Sequence, residues 1–487
     1  MNRRELWIVA GITLAAALIR FATLDHQSFD HDEAVTAVRV LQPDFGDMLS
    51  VVGRLERSPP LYYILAWLWS KVFGTGEAGL RSMSALIGAF TVPAGYLAAR
   101  ELASSRAGVI TAALVALNPY LVWYSQEARS YALFVFFAAW SLYFLARVLR
   151  DSSPRNLALW AGSSALAVCS HYFAAFVIIP EGLWLIVATA GRRRAILAVA
   201  GTAAVGLALL PLALAQEGSG RSNTFTDQSL FGRAREAGLN FVASEEPGWL
   251  AGSPSVDDLQ RAAALLGVAL VIGAVVLLVR WGLPVERLGA ALAAGIGGVA
   301  VAIPFALALV GIDFIDPRNL IGSLIPLLVA GGIAFGVRRA RPLGVAGAAV
   351  AASLFAAVLV AVYVTGQMQR DDWRGAAEAI GPPSGPRVLV VPKNGDDGLV
   401  YYLHAREFHR RRFRPGLPVR EIDVLSKAFT VSPPRRGFRL VEQRGLAPSF
   451  ILRRYRSSRP VRIRYPDVAG HQVLMERSKV LADGLGR

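Results

Sequence analysis

From position 6 to position 364 the chain returns repeatedly to apolar runs separated by short arginine clusters. Each run is close to the ~17–25 residues that a helix needs to cross the ~30 Å hydrocarbon core of a bilayer. A chain patterned in this way cannot gather its apolar surface into one water-soluble core. Eleven runs are expected to span: 6–24, 80–99, 108–124, 131–148, 156–171, 172–190, 195–215, 262–279, 288–310, 320–337 and 343–364. Composition agrees, with 54% hydrophobic and only 18% charged residues over 487 positions, and points to a polytopic α-helical membrane protein.

Arginines set the orientation. If the 13-residue stretch LYYILAWLWSKVF (61–73) lies along the interface instead of crossing, six clusters fall on one side: Arg3/Arg4, Arg100/Arg106, Arg147/Arg150/Arg155, Arg192–Arg194, Arg280/Arg287 and Arg338/Arg339/Arg341. The positive-inside rule makes that side cytoplasmic and the N-terminus cytoplasmic with it. The net charge of +16 is therefore read as a topology signal, and no nucleic-acid partner is expected. The opening MNRR and its apolar run lack a small-residue cleavage site and are expected to stay as a first span. Cys169 is the single cysteine, which rules out an intramolecular disulfide or a cysteine-based metal site.

This topology places SFDHDEAV (28–35), the ends of 118–131 and 170–173, a loop over 216–261, GIDFIDPRN (311–319) and everything after about 365 outside. After 365 the pattern changes. PRVLVVPKNGDDGLVYYLHAREF (386–408) reads as a buried strand, a Gly/Asp turn and a helix, and FRLVEQ and SFILRRYR read as further strands. Two parts are expected. Residues 1–364 form a transmembrane domain with interfacial helices within 30–75 and the loop 216–261, and 365–487 form a small extracytoplasmic α/β domain.

Carboxylates gathered just outside a membrane, with arginines on neighbouring loops, suit glycosyl transfer from a lipid-linked sugar. An acceptor hydroxyl needs a general base, worth roughly 10²–10⁴ in rate, and a departing lipid phosphate needs cations. The motifs FDHDEA (29–34), RSPPLYY (57–63), EAGLRSMSALIGAFTVPAGYLAAREL (77–102), YSQEARSYAL (124–133), SHYFA (170–174) and DPRNLIGSLIPLLVAGGI (316–333), taken in this order, resemble the GT-C membrane glycosyltransferases. Family 39 is the nearest group; it holds protein O-mannosyltransferases and aminoarabinose transferase-like bacterial enzymes. The resemblance covers the first 190 residues and the late span best.

That resemblance implies an inverting, polyprenyl-phosphate-sugar-dependent transferase in the inner (plasma) membrane, multi-pass, with its active site facing outside. Its implied partners are the bilayer, the lipid-linked donor and a glycan, lipid or protein acceptor. Asp32 is implied as the general base, Glu33 as a positioning acid and Asp30 as the rival base. Arg129 and Arg318 are implied donor-phosphate ligands. His31, Tyr62, Tyr124, Glu127, Tyr131, His171 and Tyr172 are candidates for donor or acceptor contact. Relatives often carry histidine before the Pro-Pro pair, where this chain has Ser58.

No cofactor is required by this chemistry and no metal ligands are assigned. His26, His31, Asp30, Asp32 and His171 have the ligand chemistry for a divalent ion without the spacing that defines a site. Each residue also has a structural reading. The acids can cap a juxtamembrane helix, Arg129 can pair with Glu127, Arg318 can pair with Asp313 or Asp316, and His171 can be a turn residue. Tyr62, Tyr63, Trp67 and Trp69 can anchor at the interface, and NGDDG (394–398) can be a plain turn. The competing function is a transporter or flippase of amphiphilic lipids. The clustering of polar motifs at one face, with few charges in mid-span, argues against it.

Overall fold

A computed structural model gives the fold. It describes all residues except 190, 218–228, 244–253, 394, 409–414, 428–430, 435–436, 447–449, 470–472, 475–477 and 486–487, and the side chains of 254–257 and 367. The chain divides into two compact units. One joins Met1–Leu24 to Pro43–Val364, and the other joins Asp25–Gln42 to Thr365–Arg487.

The first unit is helical. Among the described residues, seven helical segments are long and apolar enough to cross a membrane: Glu77–Leu102, Tyr131–Arg150, Arg192–Glu217, Asp258–Trp281, Pro284–Leu309, Pro317–Phe335 and Arg341–Val364. An eighth is obtained if Ser105–Leu117 and Pro119–Ser125, bent by 57°, are one span. The bend has a local cause: Asn118 caps the second helix by accepting from the Leu121 N–H at 3.0 Å, and Pro119 at its first position has no N–H to offer the first. This is a multi-pass membrane protein.

Three of the eleven expected spans are helical but stand outside that count. Arg3–Phe21 carries Arg3, Arg4, Glu5 and Arg20, and Pro154–Ser170 and Tyr172–Ala188 are short. The stretch at 61–73 is a helix of 13 residues, Leu61–Phe73, about 20 Å long at 1.5 Å per residue. The stretch expected as a loop over 216–261 contains the end of the helix Arg192–Glu217, the helix Leu230–Ala243 and the start of Pro254–Trp281; 218–228 and 244–253 lie outside the described residues.

Small residues let these helices approach closely. A Cβ on Gly322 would lie 2.3 Å from the Phe134 ring, and one on Gly332 would lie 2.0 Å from the Thr111 hydroxyl. Two buried charged residues inside the unit show how its helices are joined. Arg20, 1% exposed, donates to the carbonyls of Ala16 at 3.2 Å and Ala116 at 3.1 Å, the latter among the unpaired acceptors that end Ser105–Leu117. Glu181, buried in Ala175–Ala188, accepts from Trp160 Nε1 at 3.0 Å and Ser141 Oγ at 3.2 Å, which ties three helices together.

The second unit is built on a six-stranded sheet: β1 (Arg387–Pro392), β2 (Arg406–Glu407), β3 (Leu417–Ser426), β4 (Arg439–Leu446), β5 (Phe450–Ile463) and β6 (Ser478–Asp483). The order is β2-β6-β1-β3-β5-β4, with β1 and β3 parallel and the other neighbours antiparallel. Period-two alternation fills both faces. Val388 and Val390 of β1 join a core with Ile422, Val424 and Val480. Leu389 and Val391 join another with Trp373, Leu399 and Leu481 under the helices Trp373–Ile380 and Asp396–Leu403. Arg387, 1% exposed, is paired within the sheet to Asp483 at 2.6 Å and Asp423 at 3.5 Å. The strand, turn and helix read over 386–408 are β1, the turn after it and Asp396–Leu403; Asn394 of that turn lies outside the described residues.

Candidate functional site

The acids of the opening motif belong to the second unit. The helix His31–Val35 starts directly after Asp30, and the Asp30 N–H donates to Glu33 Oε2 at 3.0 Å. Glu33 is fully buried. Its carboxylate therefore serves the helix start, as in a capping box. Asp32 is half-buried, and its carbonyl accepts from Thr36 Oγ1 at 3.1 Å. The helix then widens into a π-turn over Thr36–Val40, a rare conformation often found at functional sites.

Burial pushes the Asp30 carboxyl above the usual aspartate range, and the charge of Asp32 adds to this, while Arg370 opposes it. A raised folded-state value means that the folded chain holds a proton the unfolded chain has lost. That contribution to stability is complete below the unfolded aspartate range, about pH 4, and is lost as pH rises through the raised value. Asn is neutral at every pH. The gain in melting temperature of Asp30→Asn over the natural protein should therefore be larger at pH 7 than near pH 4; a gain confined to the acid end would contradict the assignment.

Several residues that the sequence did not single out hold this loop within its unit. Arg39 donates to Asp396 Oδ2 at 2.9 Å, to Glu407 Oε1 at 2.8 Å and to Asp397. The Phe29 N–H donates to the Tyr402 hydroxyl at 2.9 Å. Ser28 Oγ donates to the Asp371 carbonyl at 2.8 Å and accepts from the Trp373 N–H at 3.0 Å. The NGDDG stretch is accordingly more than a turn, since its two aspartates open Asp396–Leu403 and hold Arg39. Among the described residues, His31, Asp396 and Asp397 form a group with ligand atoms within 4.8 Å of one another. Both carboxylates in it already accept from Arg39, and Asp396 also pairs with Lys479 at 3.2 Å.

In the first unit, Arg129 is bound by Glu56: Nη1 reaches Oε1 at 2.9 Å and Nη2 reaches Oε2 at 2.8 Å. The side chains of this pair are 12% and 3% exposed. Arg129 also lies over the Tyr63 ring, 5.8 Å from its centre. Arg318, 35% exposed, donates through Nε to Asp316 at 3.0 Å, and Asp313 pairs with Arg233 at 2.6 Å. His171 feels the charge of both Arg129 and Arg318. Its Nδ1 accepts from the Phe173 N–H at 3.3 Å, and its ring stacks on Phe134 at 5.5 Å beside Tyr131 at 5.4 Å.

Tyr124 extends this aromatic row, with its ring 4.7 Å from Tyr131. Tyr172 donates to Gln216 Oε1 at 2.9 Å. Glu127 is buried. Tyr62 and Tyr63 are buried as well, so they pack inside instead of anchoring at an interface, and Ser58 Oγ is 3.4 Å from the Tyr63 hydroxyl. Arg129, His171 and Arg318, distant in sequence, are therefore brought together. Glu56 is the residue that sequence reasoning missed here; it lies just ahead of RSPPLYY, and nothing in its spacing marks it.

The fold is that of the GT-C membrane glycosyltransferases. It matches ArnT from Cupriavidus metallidurans in the apo state with a TM-score of 0.56 at 12% identity, over 93% of this chain and 98% of that one. It matches ArnT bound to undecaprenyl phosphate with a TM-score of 0.55 at 12% identity, over 92% and 97%. Residues 57–215 match the family described as dolichyl-phosphate-mannose-protein mannosyltransferase. An uncharacterized protein of Aquifex aeolicus (strain VF5) is 30% identical over 166 residues, and the match spans about a third of each chain: 33% of this one and 32% of the relative. The chain resembles GT-C membrane glycosyltransferases of family 39.

Proposed function

We propose that this protein transfers a sugar, with inversion, from a polyprenyl-phosphate donor to an extracytoplasmic acceptor. The observation that carries the reading is the fold shared with ArnT over nearly the whole of both chains, ArnT having been solved with undecaprenyl phosphate. The acids of the opening motif support it. Glu33 is used by the helix start and Asp30 is pushed toward its protonated form, so Asp32 is assigned as the base that takes the acceptor proton. Arg129 and Arg318 are assigned to the donor phosphate, with His31, Glu127, His171 and the tyrosines around them as contacts to sugar or acceptor. No cofactor is assigned to the reaction.

In this reading eleven spans cross the inner membrane, with the N-terminus cytoplasmic and residues 365–487 outside. A cysteine placed after Arg487, in a chain with Cys169 replaced by Ser, should be labelled by a membrane-impermeant maleimide in intact cells. Labelling only after permeabilisation would overturn the topology. The activity itself is tested by mass spectrometry of envelope glycoconjugates with and without the protein. A glycoconjugate that loses one sugar per chain when the protein is removed, and regains it on re-expression, supports the assignment; an unchanged set contradicts it.

A further inference from the structure

The geometry points to the helix Asp396–Leu403 as the positioning element of the acid loop, with Arg39 and the Tyr402 hydroxyl as its two points of grip; this rests on the reading of Asp32 as the base. Asp30, Asp32 and Glu33 lie between Phe29 and Arg39, and both flanking residues are held by that one eight-residue helix. At its N-terminal end, Asp396 and Asp397 take the Arg39 guanidinium. At its other end, the Tyr402 hydroxyl takes the Phe29 N–H at 2.9 Å, and the neighbouring Tyr401 ring meets the Phe29 ring edge-on at 5.1 Å. Gripped on both sides, the start of His31–Val35 has its direction fixed before any substrate arrives.

Arg39 suits this role better than a general structural one. It lies in the π-turn that directly continues His31–Val35, so holding its guanidinium restrains the rotation of the helix that carries Asp32. Three carboxylates surround it, Asp396 and Asp397 being nearly fully buried and Glu407 29% exposed, while Arg39 is 32% exposed. A guanidinium offers several N–H groups in one plane and can satisfy such a set where an ammonium would bind it as a point charge. A general base acts only within hydrogen-bond reach of its proton, and a misplacement of about 1 Å can cost on the order of 10²-fold in rate. The contribution of 365–487 to catalysis is then orientation of Asp32, with the chemistry left to the loop.

The test uses the full-length protein in detergent, with Arg39→Ala, Arg39→Lys and Tyr402→Phe. The last keeps the ring and removes only the hydroxyl. Two readouts are taken: amide hydrogen exchange over 28–40, and kcat and donor KM. The expected result is faster exchange in all three variants. Arg39→Ala should lose at least tenfold in kcat with donor KM within about twofold, Tyr402→Phe should lose less, and Arg39→Lys should recover little. Unchanged exchange would overturn the grip. Faster exchange with unchanged kcat, or a loss carried by KM alone, would overturn its catalytic role. If the natural protein transfers no sugar, the proposed function fails, while exchange still decides whether this helix holds the loop.

Discussion

Asp32→Asn should lower sugar transfer by 10²–10⁴-fold, the range that a positioned general base contributes, while leaving melting temperature and donor affinity nearly unchanged. Asn has the size and shape of Asp, so the helix start should survive the change. It depends on Glu33, which accepts from the Asp30 N–H. Asp30→Asn should cost much less, because burial and the neighbouring charge already push Asp30 toward its neutral form, which Asn imitates. Turnover and melting of the two variants, measured side by side, decide between the acids. Near-intact transfer in Asp32→Asn together with abolished transfer in Asp30→Asn would exchange their roles.

Arg129→Ala should weaken donor binding and slow transfer, with Arg129→Lys rescuing poorly, and Arg318→Ala should act in the same direction. A charge-assisted hydrogen bond is worth about 1.5–3 kcal/mol, or roughly 10–100-fold. The contact should strengthen as charge builds on the leaving phosphate, so turnover should fall more than ground-state affinity. Glu56 supplies the control. Breaking a buried ion pair costs about 3–5 kcal/mol, so Arg129→Ala is also expected to destabilise the fold. Glu56→Gln removes the competing charge and leaves the arginine in place. If Arg129 serves the donor, Glu56→Gln keeps or raises donor affinity and Arg129→Ala lowers it. If Arg129 serves only Glu56, both variants lower melting and neither changes donor affinity or single-turnover rate in folded protein.

The helices and strands were largely legible because their causes are local. Apolar run length announces the long helices, and the alternation of Val388 to Val391 announces β1. What the sequence did not announce are the partnerships between distant positions. Arg39 meets Asp396 across 357 positions, and Arg129 meets Glu56 across 73. Neither pair has a periodicity or spacing that could reveal it, since a guanidinium and a carboxylate find each other through the path of the chain. The sequence therefore read Asp396 and Asp397 as a plain turn and did not mark Glu56. For the same reason it grouped Asp25–Gln42 with the spans beside it, whereas that loop packs with Thr365–Arg487. The Asp30–Glu33 arrangement lay within reach, because an acid three residues after a helix-starting acid fits a capping pattern, and that pattern removes Glu33 from the candidate bases.

Breakage of a glycosidic bond to a lipid phosphate is tested by a single reconstitution. Purified protein in proteoliposomes is given a polyprenyl-phosphate donor with a radiolabelled sugar and an envelope acceptor fraction. The fate of sugar and lipid is followed for the natural chain and for Asp32→Asn. Free polyprenyl phosphate and labelled acceptor should appear together with the natural chain, and at least ~10²-fold more slowly with Asp32→Asn. Donor that crosses the bilayer with its sugar still attached, at the same rate in both proteins, would contradict bond breakage and make the protein a lipid carrier.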